Sequence, residues 1–300
     1  YTLWHTLSLH DALPISVYHV MSRTALPGFV LGDVEKEYLC DLIRKLSLVY
    51  FCEVLGFCIM GNHFHLVVRM HPGEEFDDED IRKRFARYYG KDASDDLSTE
   101  NIVAFREKWA SISEYMKEIK QGFSRFYNRR HDRKGYFWSD RFKSVLVENG
   151  ETLINCLAYV DLNPVRAGIC DKPEQYRWCS LGYHVQRNNE GKFLSLDFGL
   201  REFGLKGRRQ RLAHYRRFVY EKGGLLPEAD NRVEGLPVDT MDRFRYRTRY
   251  FADSAIIGAK TFVEKYYQRF KNNFLSKKDK KPIEVPGLPD IFSLKRLSES

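Results

Sequence analysis

Several features that would place a protein in a known class at once are missing from this sequence. No stretch approaches the roughly 18 consecutive apolar residues that a membrane-spanning helix needs, and no secretory signal of basic, apolar and small-residue regions is present. The six cysteines include no C-x-x-C pair and lie among apolar neighbours, so we interpret them as reduced packing thiols. These absences favour a cytoplasmic protein without disulfides or a membrane span.

Basic and aromatic residues, by contrast, are plentiful. The 300 residues carry 49 lysines and arginines against 41 aspartates and glutamates, a net charge of +8, and 18 tyrosines, 21 phenylalanines and 4 tryptophans lie among them. Because cations attract phosphates and aromatic rings stack on bases, this mixture favours a polyanion with exposed bases over a membrane surface as the partner. A chain of this length can bury a full core in one or two domains, and we expect two.

A histidine pair between residues 60 and 68 is the strongest chemical signal. The Gly-Asn pair at positions 61 and 62 predicts a hairpin turn, and the alternation after it predicts a strand with Phe64 and Leu66 on one face. His63 and His65 then share the other face about 6.6 Å apart, where both imidazoles can reach one divalent ion at about 2.1 Å. Two ligands leave positions open to substrate oxygens, so we interpret the pair as catalytic.

Two other interpretations of the histidine pair stay open. His63 and His65 can be the solvated face of an amphipathic strand. They can also join Cys52 and Cys58 in a structural zinc site, although the spacing matches no standard zinc finger or ribbon.

Hydrophobic periodicity predicts the order strand, helix, strand, strand, helix, strand, helix along residues 17–162. The predicted elements are a strand over 17–23, a helix from 33 to about 50, strands over 53–60 and 63–70, a helix from about 113 to 131, a strand over 142–148 and a helix from 151 to about 162. A charged insertion between 71 and 113 predicts a solvent-facing helix without a catalytic role, although Asp77, Asp78 and Asp80 also allow an acidic metal site.

The second long helix leads into a strongly basic segment that also contains aromatic residues. The predicted nucleic-acid contacts are Arg125, Arg129, Arg130, Arg133, Lys134, Trp138, Arg141 and Lys143. Cationic side chains contact phosphates, and an interleaved indole ring can stack on a base. The alternative is an ordinary basic surface.

The helix predicted from residue 151 carries a candidate nucleophile. Tyr159 and Asn163 lie one helical turn apart and can face one point. A tyrosine hydroxyl, with its pKa near about 10, attacks poorly unaided, but a metal-polarised phosphodiester is an electrophile it can reach. The amide oxygen of Asn163 is a candidate third metal ligand; alternatively, Asn163 caps a short helix that starts at Pro164. Tyr127, in the basic helix and one turn from His131, competes for the role of nucleophile.

Together these residues resemble the HUH transposases with a single catalytic tyrosine, in particular the REP-associated tyrosine transposases. The resemblance lies in the His63-Phe64-His65 motif after a turn, and in the block Tyr-Val-Asp-Leu-Asn-Pro-Val-Arg-Ala-Gly over 159–168. Segments 137–142 and 176–181 are also similar to that family. The resemblance covers about residues 16–185, and the combination of both motifs makes it specific.

The resemblance implies an α+β fold with a ferredoxin-like antiparallel sheet and helices packed on one face. It further implies that His63 and His65 hold Mg²⁺ or Mn²⁺. Tyr159 would attack a phosphate of single-stranded DNA in a hairpin-forming palindromic repeat, leaving a 5′-phosphotyrosine bond and a free 3′-OH. Such strand transfer needs no nucleotide cofactor, and the sequence has no Gly-x-x-x-x-Gly-Lys loop. Because imidazole suits transition metals, we expect Mn²⁺ to work at least as well as Mg²⁺ in vitro.

The ends of the chain lie outside this resemblance. Residues 1–15 read like a translated sequencing adapter and are treated as non-native. Over residues 190–276 the sequence predicts a small, mostly helical, basic region, in which the pattern over 255–266 suggests a helix-turn-helix. Over residues 277–300 it predicts a loose tail. A non-catalytic nucleic-acid-binding protein on the same fold is the alternative function, and the sequence leaves the oligomeric state open.

Overall fold

The computed structural model describes residues 15–90, 97–198, 207–225, 249–273 and 279–295. The strands are β1 (Ser16–Arg23), β2 (Cys52–Ile59), β3 (His63–Met70), β4 (Lys143–Val147), β5 (Ser254–Gly258), β6 (Ile283–Glu284) and β7 (Phe292–Lys295). The α-helices are α1 (Asp33–Ser47), α2 (Asp78–Tyr89), α3 (Thr99–Trp109), α4 (Ile112–Arg130), α5 (Glu151–Asp161), α6 (Asn163–Arg166), α7 (Ser180–Gln186), α8 (Arg208–Gly223), α9 (Arg249–Asp253) and α10 (Lys260–Phe270). No helix in these ranges is long and apolar enough to cross a membrane.

The first four strands form the core of the fold. They lie in the order β2-β3-β1-β4, and each neighbouring pair is antiparallel. With α1 after β1 and α4 before β4, this is the ferredoxin-like arrangement, and the predicted α+β class is confirmed. The Gly-Asn hairpin is also confirmed, since the Met60 amide donates to the His63 carbonyl at 2.8 Å and closes a two-residue turn.

Helices cover both faces of this sheet. Phe64 contacts Trp138, and Trp138 contacts Phe123 of α4, with ring centroids 5.4 and 5.5 Å apart. The next residue on the strand, His65, lies 5.7 Å from the ring of Tyr159 in α5. Because adjacent residues on a strand point to opposite faces, α4 covers one face and α5 the other. The prediction placed helices on one face of the sheet. The structure has a second helical layer on the other face, and this layer carries Tyr159.

The C-terminal region extends the sheet. Strand β5 pairs with β4 in parallel, and β7 and β6 follow it, so the seven-stranded order is β2-β3-β1-β4-β5-β7-β6. The predicted helix-turn-helix over 255–266 is wrong, because Ala255–Gly258 lie in the buried strand β5 and a single helix, α10, follows. An apolar run this short has the same pattern whether it forms a buried strand or a helix.

The predicted loose tail is also wrong for the part of it that the structure describes. Between 279 and 295, β6 and β7 join the sheet, and Ile291 and Leu294 are buried. Strands of two and four residues are too short to give a periodic signal in the sequence.

The helix that carries Tyr159 is tied to the C-terminal region by a buried carboxylate. Asp161, at the end of α5, accepts hydrogen bonds from the Leu181 amide at 3.0 Å and from the Tyr215 hydroxyl of α8 at 2.6 Å. Burial raises the pKa of Asp161 to about 6, although these hydrogen bonds act in the opposite direction. The position of α5 over the sheet therefore depends on contacts with α7 and α8.

The charged insertion forms two helices, α2 and α3, rather than the single predicted one. Asp77 accepts a hydrogen bond from the Asp80 amide and caps α2, and Asp78 forms an ion pair with Arg106 of α3. Asp77 therefore caps α2, and Asp78 bridges α2 and α3.

Candidate active site

The two histidines of the motif lie side by side on β3. Their ring centroids are 5.2 Å apart and the ring planes are nearly perpendicular, at 83°. His65 is buried, with 5% of its surface exposed, whereas His63 at the strand end is only half-buried. The predicted pairing on one face of a strand is therefore what the structure has.

Both histidines are held through the same ring nitrogen. The Nδ1 atom of His63 lies 2.7 Å from the Oδ1 atom of Asn62, and the Nδ1 atom of His65 lies 3.0 Å from the Nε2 atom of His19. Burial lowers the pKa of His63 to about 4, with the charge of Arg23 adding to the effect. Burial also lowers the pKa of His65, helped by the neighbouring histidines. A neutral imidazole whose Nδ1 is held in this way can offer Nε2 as a lone-pair donor.

These features fit two ligands of a divalent ion. Metal-binding histidines usually donate a hydrogen bond from the N–H of their second ring nitrogen to a protein acceptor, as His63 does to Asn62. No group of three or more His, Cys, Asp and Glu side chains in the described ranges is arranged to hold a metal. The zinc alternative with all four ligands does not fit the geometry: Cys58 lies opposite His65, but Cys52 lies opposite Met70, at the other end of the hairpin from the histidine pair.

Tyr159 lies directly against the histidine cluster. Its ring centroid is 5.7 Å from that of His65 and 5.8 Å from that of His19, and the ring of Phe251 stacks on it at 5.6 Å. The guanidinium of Arg166 lies 4.4 Å from the centre of the Tyr159 ring. Burial raises the pKa of the Tyr159 hydroxyl, and the charge of Arg166 acts to lower it. The cation therefore favours the phenolate, the form in which tyrosine is a nucleophile.

Asn163 has a different role from the predicted N-cap. The residue that caps α6 is Leu162, and Asn163 is the first residue of that helix. Its amide nitrogen donates to the carbonyls of Tyr159 and Val160, both at 3.1 Å, and so satisfies carbonyls at the end of α5. These two hydrogen bonds use the amide nitrogen, so the amide oxygen is not consumed by them.

The competing tyrosine is far from this cluster in the fold. Tyr127 lies in α4, on the opposite face of the sheet from His65, and its ring is 6% exposed. The rings of His131 and Phe137 pack against it, with centroids 4.1 and 4.4 Å away. Tyr127 therefore does not share a face with the histidine pair, and Tyr159 does.

Most of the predicted basic residues are exposed. The exposed members are Arg125, Arg129, Arg130, Lys134, Arg141 and Lys143. Arg130 forms an ion pair with Glu35 at 3.1 Å, and Arg133 is half-buried. The predicted stacking role of Trp138 does not fit the structure, since its ring is 8% exposed and its Nε1 donates to the Lys120 carbonyl at 3.0 Å. Tyr136, two residues earlier, is 78% exposed and is the aromatic side chain that a base could reach.

The sheet register places two basic side chains on the same face as the histidines. Arg23 is paired with His63, and Lys143 is paired with Met21, which is itself paired with His65. Residues directly opposite in a sheet share a face, so both cations lie on the His63 face, and both are exposed. Sequence reasoning did not select Arg23, Arg166 or His19, because nothing local in the chain connects them to the histidine pair.

Comparisons with known proteins agree with the sequence motifs. No protein-family model matches the chain. A curated protein of Haemophilus influenzae, which carries the provisional name REP-associated tyrosine transposase, is 24% identical over 164 residues, covering 52% of this chain and 78% of the relative. A solved structure described as a REP-associated tyrosine transposase bound to a REP hairpin covers 62% of this chain and 86% of its own, with 14% identity and a TM-score of 0.40. The sequence relative agrees with the prediction of a transposase-type enzyme and confirms the resemblance of this chain to the REP-associated tyrosine transposases.

Proposed function

We propose that this protein is a metal-dependent single-strand DNA endonuclease and strand transferase that acts in the cytoplasm on hairpin-forming repeat DNA. The observation that carries the proposal is the contact between Tyr159 and His65, which lies beside His63. Of the two candidate tyrosines, Tyr159 is the one on the histidine face of the sheet. The relative named a REP-associated tyrosine transposase supports the same substrate class. The catalytic unit in this proposal is residues 16–185, and Tyr215 of α8 and Phe251 of α9 contact it from the C-terminal region.

The proposed reaction exchanges one phosphoester bond for another. The Tyr159 oxygen attacks a backbone phosphorus, and the bond from phosphorus to the 3′ oxygen breaks. The phenol loses one proton and the leaving 3′ oxygen gains one, which gives a free 3′-OH. The product is a 5′-phosphotyrosine bond, and attack by a 3′-OH of another strand reverses the step. Little bond energy is lost, so no nucleotide is required.

His63 and His65 would hold Mg²⁺ or Mn²⁺, with Asn163 as a third proposed ligand through its amide oxygen. A bound ion would polarise the phosphate and orient it. The chain itself supplies the other requirements. Arg166 favours the phenolate form of Tyr159, and the exposed Arg23 and Lys143 on the same face attract the phosphate backbone.

The test compares two phenylalanine variants. Tyr159→Phe removes only the hydroxyl and keeps the ring packing, so it should eliminate the covalent protein–DNA adduct on a single-stranded hairpin substrate with Mn²⁺. Tyr127→Phe is the matched control and should retain the adduct. Denaturing gels resolve the adduct, and a Tyr159→Phe protein that still becomes attached to DNA would contradict the assignment. A wild-type protein that binds the hairpin but forms no adduct would favour the non-catalytic alternative.

The proposed DNA surface comprises Arg125, Arg129, Arg130, Arg133, Lys134, Arg141 and Lys143, with Tyr136 in place of Trp138 as the aromatic contact. Arg129→Gln should weaken hairpin binding and flatten the log–log dependence of affinity on salt by roughly 0.7 for a lost single-strand phosphate contact. Lys83→Gln, on α2 in the exposed insertion, is the control. An unchanged slope for Arg129→Gln would remove that residue from the surface.

A further inference from the structure

His19 connects the histidine pair to the C-terminal region. It lies in β1, is fully buried, and has both ring nitrogens within hydrogen-bond distance of a partner. Its Nδ1 atom is 2.8 Å from the carbonyl oxygen of Phe251 in α9, and its Nε2 atom is 3.0 Å from the Nδ1 atom of His65. The planes of the two imidazoles are nearly parallel, with an interplanar angle of 21°.

The carbonyl at one end of this chain determines where the protons lie. A carbonyl oxygen only accepts, so the Nδ1 atom of His19 must carry the hydrogen that it donates to Phe251. His19 is fully buried and neither partner of its ring nitrogens is an anion, so the ring is neutral and its Nε2 atom carries a lone pair. The Nδ1 atom of His65 then donates to His19, and the Nε2 atom of His65 is left as the lone-pair donor.

Without the hydrogen bond from His65 Nδ1 to His19, the lone pair on the Nε2 atom of His65 would no longer be ensured. If His19 were absent, or donated from Nε2, the Nδ1 atom of His65 would have no acceptor there, and the His65 proton could reside on Nε2. His63 reaches the same tautomer by a separate route, since Asn62 accepts from its Nδ1 atom. Two neighbouring imidazoles are thus held in matching tautomers by different acceptors, one local in the chain and one contributed by β1 and α9.

We infer that His19 is a positioning residue that fixes His65 in the tautomer presenting Nε2, and that the Phe251 carbonyl of the C-terminal region sets the direction of this hydrogen-bonded chain. The inference rests on the proposed metal-dependent function for its purpose, but the tautomer itself is a property of the metal-free protein. It assigns a role in the site to α9, whose residue Phe251 lies 232 residues from His19 along the chain.

The first measurement needs no variant. Long-range ¹H–¹⁵N correlation spectra of the metal-free protein, labelled with ¹⁵N-histidine, distinguish protonated from unprotonated ring nitrogens. We expect both His19 and His65 to carry the proton on Nδ1. A wild-type spectrum in which His65 carries it on Nε2 overturns the inference, whatever the activity of the protein.

Two variants then separate positioning from simple packing. His19→Gln keeps a side-chain oxygen that can accept from His65, whereas His19→Leu has a similar volume and no acceptor. For His19→Leu we expect loss of the single His65 tautomer and a 10- to 100-fold weaker affinity for Mn²⁺, measured by electron paramagnetic resonance, on the scale typical of lost outer-shell partners. His19→Gln should retain the His65 tautomer and most of the affinity.

The outcomes separate this inference from the proposed function. Equal loss of Mn²⁺ affinity in His19→Gln and His19→Leu, or an unchanged His65 tautomer in folded His19→Leu, overturns the positioning role. A wild-type protein that has the expected tautomers and binds Mn²⁺, but forms no covalent DNA adduct, supports the positioning role and contradicts the proposed function.

Discussion

His184 should make the protein less stable in mild acid, and His184→Leu should remove part of that sensitivity. The side chain is 2% exposed, and neither ring nitrogen has a hydrogen-bond partner among the residues that the structure describes. The ring of Phe198 lies 5.3 Å away. Burial lowers the pKa of His184 to about 4, and the positive charge of Arg208 adds to the shift. A charged imidazole is therefore strongly disfavoured in the folded state.

The magnitude follows from the difference in proton binding between the two states. The unfolded chain binds a proton at this residue near its ordinary pKa of 6.5, while the folded protein does so only near about 4. Because the unfolded state binds more protons in between, stability is full above pH 6.5 and falls as the pH drops towards 4. For this single group the free energy of unfolding should decrease by about 2 kcal/mol between pH 7 and pH 5.

Urea unfolding at pH 7 and pH 5, at constant ionic strength, measures this difference. Leucine has a similar volume and does not titrate, and the fixed effect of the substitution cancels when the two pH values are subtracted within each protein. His184→Leu should therefore lose about 2 kcal/mol less than the wild type on acidification. His214→Leu, on the exposed side of α8, is the control for replacing a histidine with leucine. If His184→Leu and the wild type lose the same stability, the imidazole is not buried in a neutral state and the reasoning fails.

Two further changes test the packing around Gly182 and the contribution of residues 1–15. Gly182→Ala should destabilise the protein by more than about 3 kcal/mol or prevent folding, because a Cβ atom there would overlap the carbonyl oxygen of Tyr176; a melting temperature within a few degrees of the wild type would contradict this. Deleting residues 1–15 should change neither the melting temperature nor adduct formation, since β1 begins at Ser16; a clear drop in either would show that the segment is not foreign to the protein.

The alternation of residues around the histidine motif was enough to predict its local geometry. A strand has a strict two-residue period, so Phe64 on one face requires His63 and His65 on the other. The helical period likewise predicted that Tyr159 and Asn163 lie one turn apart, although α5 is buried on all sides and Asn163 begins α6. These patterns need no knowledge of the rest of the chain, and the structure has both elements where they were predicted.

Local reasoning was wrong where the outcome depended on distant partners. Trp138 was predicted to meet a base, but the rings of Phe64 and Phe123 surround it in the core. The segment beginning at Ala255 was predicted as part of a helix pair, but β4 offered an unpaired strand edge and Ala255 became part of β5. A short apolar sequence satisfies its backbone hydrogen bonds equally well in a helix or beside a strand, and the neighbouring edge decides between them.

The sequence by itself determined the ferredoxin-like order of elements, the shared face of His63 and His65, and the presence of a tyrosine on the helix after β4. Only the tertiary structure decided which tyrosine lies on that face, and that Arg166, His19 and the Phe251 carbonyl surround the histidine pair. The physical reason is that periodicity orients a side chain relative to its own strand or helix, whereas tautomers and depressed pKa values depend on burial and on acceptors supplied by remote parts of the chain.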